Sequence, residues 1–439
     1  MPTPRLRLRP LAVAAALSLT ALVPSFASAQ SLIQLYDAAH AYDATYLAAR
    51  ALYESAPFRV EQARALMRPS ASVEATGGRS DFYPRDFPNS GNNTYGATVS
   101  GRQPIFNKFN TTTIAQSERS LVSSLADLDT AEQDLMLRVS QTYFDVLGAQ
   151  DTLATTRANK AAISEQLASA KRNFEVGTAT ITDTREAQAR FDLATAQEIA
   201  ADNDLVTKRI ALDQLVGQSN VVPKQLAVPV VLPVPTASID DYVTHAAEEH
   251  PAVRRATVAY EVAQLETEKA RAQRLPTVDA VASAGNGRGL FTPGISGQNT
   301  SVGIQLTVPI YSGGAIQNRI KETLVLEERA RNDLDAARRI VTQTTRQAYY
   351  TLLSGAAQVK ALEAAEASSQ LALEATQLGY RVGIRVNVDV LNAQSQLFQT
   401  RRDLARARYD VLLATLRLRQ ASGQLTPSDV LAIDRLLAP

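Results

Sequence analysis

The chain has no cysteine and no tryptophan, and only 6% of its residues are aromatic. The missing cysteine excludes disulfides, thiolate metal sites and an N-terminal lipid-modified cysteine together. A length of 439 residues would allow two or three ordinary globular domains. Few aromatics, with abundant alanine, leucine, glutamine and arginine at heptad-like spacing, read instead as long helices packed at close distance. Neither sign of charge is in excess: 45 basic and 44 acidic residues leave a formal net charge of +1. That gives no footprint for nucleic acid and no large steering field. Past the N-terminus no stretch has the ~18 apolar residues of a transmembrane helix, so a chain that crosses a membrane here must do it with strands. His40, His245 and His250 fall at no metal-ligand spacing and read as ordinary helix-surface residues. No Ser/His/Asp grouping, glycine-rich phosphate loop or paired-carboxylate motif stands out. No enzyme, cofactor or metal site is expected.

Residues 1–29 have the form of a secretory signal. Arg5, Arg7 and Arg9 give a basic start, residues 11–23 an apolar stretch too short to span a bilayer, and Ala27-Ser28-Ala29 a small-residue cleavage site. Export is the expectation, with a mature chain from Gln30 and a periplasmic or outer-membrane destination.

What the rest contains is a duplication. Phe174-Glu175-Val176-Gly177, with Asp183 and Gln188, recurs as Tyr380-Arg381-Val382-Gly383, with Asp389 and Gln394. The offset is 206 at each of 383 − 177, 389 − 183 and 394 − 188. Upstream, Gln103-Pro104-Ile105-Phe106 matches Val308-Pro309-Ile310-Tyr311, and Pro69 matches Pro276. Each half reads as a helix, two alternating segments around a polar loop, a very long helix, a tip and a returning helix. The helices are expected over about 31–67, 110–174, 183–216, 239–274, 316–380 and 390–422. The first repeat takes residues 30–216, with a hairpin at 69–105 and a tip at 174–183. Prolines 223, 229, 233 and 235 make 217–236 an extended connector. The second repeat takes 237–425, with a hairpin at 276–310 and a tip at 380–389, and 426–439 is a short ending. Loops are expected at 77–93 and 285–299. Each strand is roughly ten residues, the length of a tilted barrel strand, and ~65 helical residues reach roughly 100 Å.

Four strands cannot close a barrel, and an open edge in lipid leaves unpaired backbone groups at several kcal/mol each. Three chains would supply twelve strands, an even number in the range of outer-membrane barrels. The long helices would continue that barrel as a tube with the tips at its far end.

On these residues the chain resembles TolC-type outer-membrane efflux proteins. Arg172-Asn173-Phe174-Glu175-Val176-Gly177, Leu306-Thr307-Val308-Pro309-Ile310-Tyr311 and Val382-Gly383-Ile384-Arg385-Val386-Asn387-Val388-Asp389 carry the likeness most specifically. The resemblance implies an α+β membrane protein: a homotrimer with a 12-stranded β-barrel, four strands per chain, continued by a long periplasmic α-helical barrel. It implies a Gram-negative outer-membrane location among outer-membrane lipid. The function it implies is an exit duct for multidrug efflux or type I secretion. Such a duct is fed by an inner-membrane pump of ABC, RND or MFS type through a periplasmic adaptor. The competing reading is a periplasmic adaptor protein, also exported and rich in coiled coil but without the two proline-bounded hairpins.

For the tip, Asp183 with Glu186 three residues on reads as a capping box. The resemblance adds a closing link from Asp183 to Arg385, in a network that extends to Tyr380 and Gln166. Asp389 reads as the equivalent helix-start carboxylate, and in a trimer as a ring across the bore. The family's second acid, one turn on, is Asn392 here, which halves the ring's charge. Gly177 and Gly383 read as turn glycines. With Val176, Thr178, Val382 and Ile384 they form the surface on which the family's adaptors dock.

Overall fold

The computed structural model describes residues 29–438, apart from 83–84, 86–89, 228–230, 236 and 289–294. The region read as a signal therefore lies almost wholly outside the described residues. The chain begins with two helices where periodicity suggested one. α1 (Leu32–Tyr42) opens on a capping box between Ser31 and Gln34. α2 (Ala44–Ala65) opens on Asp43, whose carboxylate accepts from the Tyr46 amide at 2.7 Å. The second half repeats the break. Between that second break and α2 lie β1 (Ser70–Phe82), β2 (Ser90–Phe106), α3 (Lys108–Glu175) and α4 (Ile181–Val216). Then α5 (Ile239–Glu249) and α6 (Pro251–Ala272) part at His250. The continuous helices expected over 31–67 and 239–274 are corrected accordingly. Pro251 has no amide hydrogen and pushes His250 out of the helical region, while Asp43 supplies a better start for a new helix than a continuation of the old one.

The four strands form one antiparallel sheet in the order β1-β2-β3-β4, with β3 (Thr277–Arg288) and β4 (Ser296–Thr307) completing it. β1 and β2 run to 13 and 17 residues, longer than expected. Pairings such as Gly77 with Tyr95 and Asn286 with Gln298 carry the ladder into segments assigned from sequence to loops. The tips of both loops lie outside the described residues. Register assigns the faces, because residues directly opposite share one. Ser72, Ser100, Ser283 and Ser301 form a single rung across all four strands, with hydroxyl contacts of 2.8 Å within each hairpin. The other face carries Val73, Val99, Ala284, Val302, Ile304 and Leu306, and Val302 is 84% exposed. Pro104 cannot donate to the ladder, and the β2–β3 register shifts between it and Phe106.

α3 and α7 (Ala315–Arg381) have 68 and 67 residues, roughly 100 Å each. Each turns back, α3 into α4 and α7 into α8 (Asn387–Ala421). The largest core lies partway along this body. Leu32, Leu35 and Tyr36 meet Tyr143, Phe144 and Leu147 of α3, Leu412 and Leu416 of α8, and Val430 and Ile433 of α9 (Pro427–Asp434). The Phe144 and Tyr409 rings stack with centroids 5.7 Å apart. Tyr409 Oη donates to Asp151 Oδ2 at 2.6 Å, and burial pushes both groups up from their ordinary values. The connector lies extended against this core. It bridges Gln30 on one side and residue 437 on the other, and its Lys224 carbonyl accepts from Tyr143 Oη at 2.8 Å. α9 was not foreseen, although Thr426, Pro427 and Asp429 spell a helix start. Among the described residues no helix is long and apolar enough to cross a membrane.

Candidate functional site

The two tips share one backbone. In the first, the Thr178 and Ala179 amides both donate to the Asn173 carbonyl, at 2.8 and 3.1 Å. In the second, the Ile384 and Arg385 amides donate to the Gly379 carbonyl, at 2.9 and 3.1 Å. Gly177 and Gly383 both sit at φ +79° with open space where a Cβ would stand. The backbone sign alone therefore asks for glycine. Val176, Thr178, Val382 and Ile384 are exposed around them. The turns thus expose the apolar side chains of Val176, Val382 and Ile384.

Behind the turns, side chains diverge. Asp183 is the third residue of α4, and the cap is Thr180. Asp183 Oδ2 accepts from the Thr180 amide at 3.0 Å and from its hydroxyl at 2.7 Å. The box expected between Asp183 and Glu186 is thus displaced by one turn, because Thr180 offers the better cap. At the matching place in the second tip stands Val386, with no hydroxyl and no side-chain cap. Asp389 is not a cap either. Its carboxylate, without a threonine to bind, takes Arg385 Nη1 at 3.5 Å. The Asp183–Arg385 link is consequently not formed within one chain, since each partner is engaged in its own turn.

Tyr380 and Gln166 do bind across the hairpins, but to residues that sequence reasoning missed. Tyr380 Oη accepts from Asn173 Nδ2 at 3.3 Å, and Gln166 Nε2 donates to Asn387 Oδ1. Asn392 Oδ1 accepts from Arg190 Nη2 at 3.0 Å. Asn173, Asn387 and Arg190 are separated from these partners by 202 to 221 positions, and no local pattern flags such pairs. Apolar packing seats the start of α8 between the hairpins. Leu391 packs with Ile163, Leu167 and Ala187, and Val390 with Leu373.

His250 is not the surface residue expected. It caps α6, with Nδ1 accepting from the Ala252 amide at 3.1 Å. Burial holds its pKa below the ordinary value, partly opposed by a backbone hydrogen bond at Gln420. No cluster of metal-ligating side chains occurs among the described residues.

A four-stranded amphipathic sheet on a long helical body, ending in a duplicated glycine-turn tip, defines a class: outer-membrane channel chains. The sequence matches the outer membrane efflux protein family over residues 35–218 and 243–424, and the chain belongs to that family. It is 31% identical to the outer membrane protein TolC of Vibrio cholerae over 439 residues, covering 98% of each chain. It is 33% identical to the alkaline protease secretion protein AprF of Pseudomonas aeruginosa, covering 83% of this chain and 76% of the relative. The Campylobacter jejuni CmeC outer membrane channel has the same fold, with a TM-score of 0.79 at 17% identity over 99% of this chain and 98% of that one. The fold class expected from the sequence stands: four strands per chain on a helical body, the architecture of trimeric outer-membrane channels. The family and its structural relatives are channels, and the chain is an outer-membrane protein with a periplasmic body.

Proposed function

We propose that three copies of this chain form an exit duct, open to the outside through a twelve-stranded barrel and narrowed at the periplasmic tips. One observation carries this reading. The sheet is polar on one face and apolar on the other, has both edge strands, β1 and β4, unpaired on their outer sides among the described residues, and is followed by helices of 68 and 67 residues after β2 and β4. Edges of that kind survive in lipid only by pairing with further copies. The exposed apolar tip supports docking of a periplasmic adaptor at Val176, Gly177, Thr178, Val382, Gly383 and Ile384, with an inner-membrane pump behind it. The repeat boundaries follow from the same layout, 30–216 and 237–425 about the connector.

Asp183, Arg385, Tyr380 and Gln166 act in this reading as the gate. Both bonds of Asp183 to Thr180 use Oδ2, which leaves Oδ1 for a donor from another protomer. Arg385, with a largely exposed side chain, is that donor. Asp389 and Asn392 line the constriction. A periplasmic adaptor would have no use for an apolar sheet face of this extent. The test is single-channel conductance of the mature protein in a planar bilayer, wild type beside Arg385→Ser. A small wild-type conductance that rises in the variant supports the gated duct. Equal conductances remove Arg385 from the gate, and failure to insert removes the duct.

A further inference from the structure

We propose that the loop-proximal end of the sheet's outward face binds the phosphates of a lipid headgroup, through Arg79 and Arg288 with Tyr95 between them. The proposal rests on the membrane-spanning reading of the sheet.

The register places these residues together. Along β1 the apolar face runs Ala71, Val73, Ala75, Gly77 and then Arg79. Along β2 it runs Val99, Ala97, Tyr95 and Asn93, and along β3 Ala282, Ala284, Asn286 and Arg288. The face that would contact acyl chains therefore ends, away from the helices, in a polar collar holding two arginines. Tyr95 lies directly opposite Arg288 on one side and Gly77 on the other. Gly77 has open space where a Cβ would stand, so nothing on β1 covers that flank of the ring. Tyr95 is 55% exposed, at the height where barrels place aromatic residues against the headgroups.

The spacing suits a single headgroup. Arg79 and Arg288 are two strands apart, about 9.6 Å, and two residues apart along the strand, about 7 Å. Their Cα atoms are thus separated by about 12 Å, close enough for two long side chains to converge. Asp81 binds Arg79 through Nε alone, at 3.1 Å to each carboxylate oxygen. It orients the guanidinium and leaves the terminal nitrogens without a partner among the described residues. Arg288 makes no ion pair among the described residues. Paired terminal nitrogens suit bidentate recognition of phosphate. The charged residues Glu74, Arg102 and Asp279 stand on the opposite face, where they cannot serve the same ligand. A soluble phosphate would gain nothing from Val73, Val99 and Val302 on the same face, whereas a lipid carries acyl chains to cover them.

The experiment uses the full mature protein, first inserted into vesicles and then released into mild detergent. Native mass spectrometry counts retained lipid after incubation with a diphosphorylated glycolipid, its dephosphorylated form, or inorganic phosphate. Each of Arg79→Gln and Arg288→Gln is expected to lower retention of the phosphorylated lipid about five-fold. Arg288→Lys should retain more than Arg288→Gln, and Arg406→Gln, on the helical body, should match wild type. Equal retention by the double variant overturns the site. So does equal retention of the dephosphorylated lipid, or displacement of the lipid by inorganic phosphate at the same concentration. A chain that never inserts into vesicles sinks the membrane reading as well, and one that inserts but binds no better than its variants sinks the site alone.

Discussion

Replacing Arg385 with serine should turn the constriction cation-selective. Arg385 Nη1 stands 3.5 Å from Asp389 Oδ2, with side chains 61% and 35% exposed. A pair this open to water contributes only ~0.2–1 kcal/mol, small beside the ~5–15 kcal/mol that holds a protein folded. The variant should therefore assemble normally. Its charge is another matter. Asn392 adds none and is held by Arg190, so Arg385 is what offsets Asp389. In the proposed trimer its removal uncovers three carboxylates around the bore. A cation passing ~4 Å from one of them gains about 1 kcal/mol even at the dielectric of water, an enrichment of about five-fold. The cation-to-anion permeability ratio should rise by at least that factor in dilute salt. It should collapse again at 1 M, where the Debye length is about 3 Å. Reversal potential in a tenfold potassium chloride gradient reads it directly, moving toward the ~59 mV limit for a monovalent ion. Asp389→Ala should move it the opposite way, because Arg385 then remains uncompensated. A reversal potential unchanged in both variants would refute the neutralised ring. A change in conductance alone would leave Arg385 as a gate residue and nothing more.

Val386→Thr should give Asp389 the capping hydroxyl that Asp183 already has, pulling it into a box and releasing Arg385. Resting conductance should then change as in Arg385→Ser, and a wild-type trace would mean that the cap does not compete for the carboxylate. His250→Asn keeps an N-cap acceptor but cannot protonate. The folded pKa of His250 is depressed, so its contribution is fully present above the unfolded value of about 6.5 and is lost as pH falls through it; thermal unfolding should show that loss in wild type and a shallower slope in the variant. Gly423→Ala meets φ +73° and a Cβ only 2.9 Å from His250 Cα, whereas Gly177→Ala meets φ +79° in open space. The second should cost about 1–2 kcal/mol and the first clearly more, as read from unfolding temperatures; equal losses would mean that the α8–α6 contact relaxes freely.

The gross layout was legible because its markers are local. Prolines 69, 104, 223, 276 and 309 and glycines 177 and 383 act on their own backbone, and all but Pro223 recur between the halves at offsets of 205 to 207. Helix breaks at Asp43 and His250 were harder. Apolar periodicity runs through both, and a cap acts on only one turn. Strand ends were misplaced because Gly77, Asn93 and Asn286 have poor strand propensity, yet cross-strand pairing holds them in the ladder. Pairings at the tip were beyond reach altogether. Gln166 with Asn387 and Asn173 with Tyr380 depend on how two hairpins are laid together, which no single helix encodes.

Duplication explains why the two tips look alike, and the divergence at positions 180 and 386 explains why they behave differently. Thr180 closes the first tip on itself, so Asp183 is tied into the start of α4 by three hydrogen bonds. Removing a cap of that kind costs ~0.5–2 kcal/mol, and the start of α4 is correspondingly fixed. Val386 leaves the second tip without such a cap. Its carboxylate is held by one exposed ion pair, and its entry into α8 depends on Val390 and Leu391 packed against neighbouring helices. A partner that offers Arg385 a different anion therefore displaces little. The same glycine turn thus carries a capped carboxylate in one half and an exposed ion pair in the other, and the differences behind it are the hydroxyl of Thr180 against Val386 and the guanidinium of Arg385 against Ala179.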